Sequence, residues 1–62
     1  MKVKKGKKEL NATVKIIRTH TSVLITKEFN VEENELWYSN EEFNRKGIEK
    51  VLKENGYKLI SK

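Results

Sequence analysis

The sequence predicts an α+β fold: a small antiparallel sheet with one helix packed on one face, in the order β-β-β-α-β. Three observations predict it. β-branched residues alternate with polar ones between Ala12 and Val31. The segment from Ser39 to Gly56 carries both the start and the stop signals of a helix. The chain has 62 residues, and one this short buries only about 60% of its unfolded surface, so it holds a single thin core.

Residues 1–9 read as a flexible basic N-terminal arm, because lysines and Gly6 dominate and no clear periodicity shows. Residues 10–62 then form the single domain. Ala12 to Arg18 is the first strand, with Ala12, Val14 and Ile16 on one face and Thr13, Lys15 and Ile17 on the other. Thr19-His20-Thr21-Ser22 is a polar turn. Val23 to Val31 is the second strand, with Val23, Ile25, Phe29 and Val31 on one face and Leu24 and Thr26 on the other. Glu32-Glu33-Asn34 follows as a turn, with Asn34 the residue suited to a left-handed conformation. Glu35 to Tyr38 is the third strand.

The helix begins at a capping box. The Ser39 hydroxyl can accept from the Glu42 amide, and Tyr38 can close a hydrophobic staple on Phe43. Glu41 and Glu42 suit the positive end of the helix, and Lys50 and Lys53 the negative end. Phe43, Gly47, Ile48, Val51 and Leu52 make one apolar stripe. Gly47 inside a helix costs about 1 kcal/mol relative to Ala, and it reads as room for Phe43 and a sheet aromatic. Asn55-Gly56 stops the helix with Gly56 left-handed, and Tyr57 to Ile60 is the last strand. The stripe packs on Val14, Ile16, Val23, Ile25, Phe29, Leu36 and Leu59.

The net charge of +5 is unevenly placed. Lys2, Lys4, Lys5, Lys7 and Lys8 supply all of it, and the rest of the chain balances. Glu28 to Asn44 holds glutamates and no base, whereas Arg45 to Lys62 is mainly basic. The absence of Asp and Gln and the wealth of Lys and Asn fit an AT-rich genome, compatible with a bacterial, phage or plasmid origin.

Several function classes are excluded or disfavoured. Without cysteine there is no disulfide scaffold, thiolate zinc site or cysteine nucleophile. His20 is the only histidine and reads as an exposed turn residue, so neither a metal site nor a cofactor is expected. The glutamates read as turn and helix-start residues, and no phosphate-binding glycine loop is present. The chain leaves little room for a pocket enclosing a small-molecule substrate, so no enzyme is expected. No apolar run is long enough to span a membrane, and no signal-peptide pattern opens the chain, which points to a cytoplasmic protein.

The leading expectation is a non-catalytic binding module, a regulator, inhibitor or adaptor acting through a protein partner or self-association. Ile17, Leu24, Trp37 and Ile60 fall on the opposite parity from the core, so they would line the uncovered face of the sheet as an interface. The alternative is nucleic-acid binding. It uses the arm lysines Lys2, Lys4, Lys5, Lys7 and Lys8 with the helix bases Arg45, Lys46, Lys50 and Lys53.

Overall fold

The computed structural model describes residues 1–61. Five antiparallel strands, β1 (Lys2–Lys5), β2 (Lys8–Ile16), β3 (His20–Thr26), β4 (Glu32–Ser39) and β5 (Lys58–Ser61), form one sheet in the order β4-β3-β2-β1-β5. Two helices, α1 (Asn40–Lys46) and α2 (Ile48–Glu54), lie between β4 and β5 and cover one face. The α+β class and the antiparallel sheet are as the sequence predicts. Strand number and helix number differ.

The first difference is at the N-terminus. Residues 2–5 are not a flexible arm but an interior strand, paired to β2 on one side and to β5 on the other. The cause is period-2 alternation hidden among lysines. Val3 is fully buried opposite Leu10 and Leu59, while Lys2 and Lys4 take the other parity. Gly6 and Lys7 form the two-residue loop of the β1–β2 hairpin, and Gly6 has φ +62°, which such tight loops require.

The second difference is the helix. Ser39 caps α1, its hydroxyl accepting the Glu42 amide at 3.2 Å as the capping box predicts. Gly47 then takes φ 83° and ψ 160°, a region open essentially to glycine alone, and splits the helix in two. A Cβ there would meet nothing within 4 Å. Gly47 therefore serves a backbone turn rather than making room for Phe43. The helix stop is as expected: Gly56 is left-handed at φ 87°, Gly56 donates to the Lys53 carbonyl and Tyr57 to the Leu52 carbonyl.

The third difference lies between β3 and β4. β3 ends at Thr26, and a short 3-10 turn spans Glu28–Asn30. Phe29 and Asn30 adopt positive φ, and the Lys27 amide donates to the Val31 carbonyl across the loop. Phe29 is therefore 93% exposed rather than in the core. Residues 32–34 belong to β4 instead of a turn, with a bulge where Ile25 and Thr26 meet Asn34 and Glu32. The β2–β3 hairpin turns earlier than expected, Ile17 donating to the His20 carbonyl at 2.9 Å.

The core consists of Val3, Leu10, Ala12, Val23, Ile25, Leu36, Val51, Leu52 and Tyr57. Val14 and Leu59 pack against it half-buried, but Ile16 is 71% exposed at the far end of β2. Asn40 fastens this end. Its side-chain amide donates to the carbonyls of Ile17 and Arg18, and its carbonyl oxygen accepts the buried Thr21 hydroxyl at 2.7 Å.

Candidate nucleic-acid interface

Alternation fixes which side chains reach the uncovered face of the sheet. Because Val3, Leu10, Ala12, Val23, Ile25 and Leu36 point at the helices, their neighbours Lys2, Lys4, Glu9, Asn11, Thr13, Lys15, Leu24, Glu35 and Trp37 point away. Lys58 joins them, directly opposite Lys4 across β1–β5.

The four residues expected to form one apolar interface are dispersed. Leu24 and Trp37 lie near each other, on adjoining rows of β3 and β4. Ile17 sits in the turn beyond the end of β2. Ile60 is on β5, at the opposite edge of the sheet, with β1 and β2 intervening. Lys2 and Lys4 of β1 and Glu9, Asn11, Thr13 and Lys15 of β2 stand on the face between them. Trp37 is 52% exposed; its indole N–H donates to the Glu35 carboxylate, and the His20 ring meets it edge-on at 6.5 Å.

The basic residues fall into two groups that share Lys53. Arg45 and Lys46 close α1, and Lys50 lies on α2. Here acids dilute the field: Lys46 donates to Glu54 at 2.8 Å and approaches Glu42 at 3.8 Å, and Glu49 and Glu54 share the hollow lined by Lys46, Lys50 and Lys53. The Glu54 hydrogen bond holds the Lys46 ammonium above the ordinary lysine pKa, with Glu42 adding to the effect. Lys8 is paired with Glu33 at 3.3 Å.

The second group is basic on balance, with Glu9 opposite Lys4 on β2 and Glu49 bordering Lys53 and Lys58. The β1–β2 loop at Gly6 and the α2–β5 connection at Gly56 lie side by side. Lys4, Lys53 and Lys58 line a shallow hollow of about 400 Å³ between them, with Gly6, Gly56 and Tyr57. Lys5 lies alongside, its ammonium 5.2 Å from the centre of the Tyr57 ring, and Lys7 is in the adjoining loop. Among the described residues, none of these five lysines has a carboxylate within ion-pair distance. Two like-charged pairs stand directly opposite in the ladders, Lys4 with Lys58 and Lys5 with Lys8. Such pairs oppose folding.

Lys2 lies on the uncovered face, one row from this hollow. Lys58 is the member that sequence reading missed. Its place depends on β5 pairing with β1, a long-range contact with no local signal; the Gly6-Lys7 hairpin flanked by Val3 and Leu10 is the pattern that would have found the strand it joins.

Among the described residues no cluster of His, Cys, Asp or Glu is arranged to hold a metal, and no helix is long and apolar enough to cross a membrane. Comparison with protein-family models, with curated proteins and with solved structures gave no match.

Proposed function

We propose that this chain is a non-catalytic nucleic-acid-binding module that grips the phosphate backbone with Lys4, Lys5, Lys7, Lys53 and Lys58. The observation that carries the reading is the convergence of these lysines from three separate segments, none of them ion-paired among the described residues. Like charges set directly opposite one another, as Lys4 and Lys58 are, break a local rule of sheet pairing and support a functional reading of that place. A polyanion relieves the repulsion and releases its own counterions on binding.

Fluorescence anisotropy of labelled single-stranded and duplex DNA, at low and physiological salt, tests this. The expected result is micromolar or tighter binding at physiological salt, with log K falling linearly in log salt by about 0.9 per phosphate contact on duplex. The triple variant Lys4→Glu, Lys53→Glu, Lys58→Glu loses that binding, while Lys50→Glu on the mixed-charge face changes it little. Equal affinity for the triple variant and the parent chain would overturn the reading.

Protein contact is the second reading, favoured by Trp37 standing half-exposed beside Leu24. Self-association by pairing two copies of the β4 edge is opposed by its Glu32, Glu33 and Glu35, which would face their own kind.

A further inference from the structure

The uncovered face does not end at the basic hollow. Its rows run from Lys58–Lys4–Glu9, through Lys2–Asn11, to Thr13–Leu24–Glu35 and then Lys15–Ser22–Trp37. From the first row to the last is about 20 Å at ~3.3 Å per residue. No helix covers this path, and its charge is positive on balance: Lys2, Lys4, Lys15 and Lys58 against Glu9 and Glu35. Glu35 is the nearer acid to the far end, and it is engaged by the indole N–H of Trp37. That bond also fixes the indole, and the His20 ring edge bounds it on one side.

A duplex does not present base faces to a flat sheet, whereas a single strand does. We infer that the ligand is single-stranded nucleic acid, whose backbone runs from the lysine hollow across the uncovered face and which stacks a base on Trp37. The inference rests on the proposed nucleic-acid reading and adds polarity of the site: charge at one end, an aromatic platform at the other. An exposed ring on a sheet beside lysines is what sequence-tolerant single-strand binding uses, because every base offers a π-face while the lysines follow the phosphates.

Trp37 is the only tryptophan, so its emission reports this contact alone. The test titrates the full chain with a ten-nucleotide oligo-dT and with a duplex of equal length, following both Trp emission and the anisotropy of labelled DNA. The expected result is quenching by oligo-dT with the same midpoint as the anisotropy, and weaker quenching by duplex. Trp37→Ala lowers the affinity for oligo-dT by roughly tenfold and leaves duplex affinity unchanged. Trp37→Phe retains most of the affinity, and Trp37→Leu, which keeps the apolar bulk if alanine perturbs the fold, does not. Anisotropy that shows binding while Trp emission stays constant and Trp37→Leu binds like the parent would overturn this inference and leave the lysine site standing. Absence of binding to both DNAs would remove the nucleic-acid reading itself.

Discussion

Lys4 and Lys58 stand directly opposite each other across the β1–β5 ladder, and among the described residues no carboxylate lies within ion-pair distance of either. Facing like charges destabilise a sheet by roughly 0.2–1 kcal/mol. Lys58→Glu converts the pair into an attractive one. It is expected to raise the urea midpoint of unfolding while weakening DNA binding, so stability and affinity move in opposite directions. A variant that loses both, or neither, removes the argument that the repulsion is retained for binding.

The buried position of Val3 gives the N-terminal segment a structural role. Val3→Ala empties volume between Leu10 and Leu59 and is expected to cost about 2 kcal/mol, in the range of large-to-small core changes. Deleting residues 1–8 removes an interior strand and unbuttons β5, so the shortened chain is expected to show no cooperative thermal transition by circular dichroism. A flexible arm would be lost without consequence to stability. Point substitution of single lysines, not truncation, is therefore the way to probe binding.

Gly47 separates two readings by the sign of one change. In a continuous helix, Gly47→Ala would stabilise by about 1 kcal/mol. At φ 83° and ψ 160° it is instead expected to destabilise by about 1–3 kcal/mol, even though a Cβ would touch nothing. Chemical denaturation of the single variant decides between them.

What was legible in the sequence was what local chemistry dictates. The Ser39 cap and the Gly56 stop need only a few consecutive residues, and both stand where their patterns place them. Val23, Ile25 and Leu36 are buried because their alternation survives in the sheet. β1 was obscured because lysines outnumber the single apolar residue, Val3, that defines its register. Parity alone puts Phe29 in the core, but the chain leaves the extended conformation just before it. Of the candidate site, Lys4, Lys5, Lys7 and Lys53 were visible as bases. That Lys53 and Lys58 meet Lys4 follows only from β5 joining the sheet beside β1.

Phe29 is 93% exposed and has φ 62°. A left-handed conformation costs an ordinary L-residue roughly 1–2 kcal/mol, and asparagine tolerates it better. Phe29→Asn is therefore expected to leave thermal stability unchanged or raise it. A core phenylalanine would instead lose roughly 3–5 kcal/mol on truncation, so a melting curve distinguishes the two placements.

Lys46 ties the two helices across the Gly47 break. It donates to both carboxylate oxygens of Glu54 on α2, lies 3.8 Å from Glu42 on α1, and sits 5.4 Å from the centre of the Tyr38 ring. Hydrogen bonding to Glu54 raises its pKa above the ordinary lysine value. A raised folded-state pKa means that the stabilisation is fully present below the unfolded value of about 10.4 and is lost as pH rises through the higher folded value. Lys46→Met is expected to lower stability by a constant amount from pH 6 to pH 9. The difference from the parent chain then shrinks at more alkaline pH, where the parent's own lysine loses its proton. Urea unfolding of the two proteins at matched pH measures this directly. A difference that stays constant through the alkaline range would mean that the lysine stem packing on Tyr38, not its charge, holds the helices together.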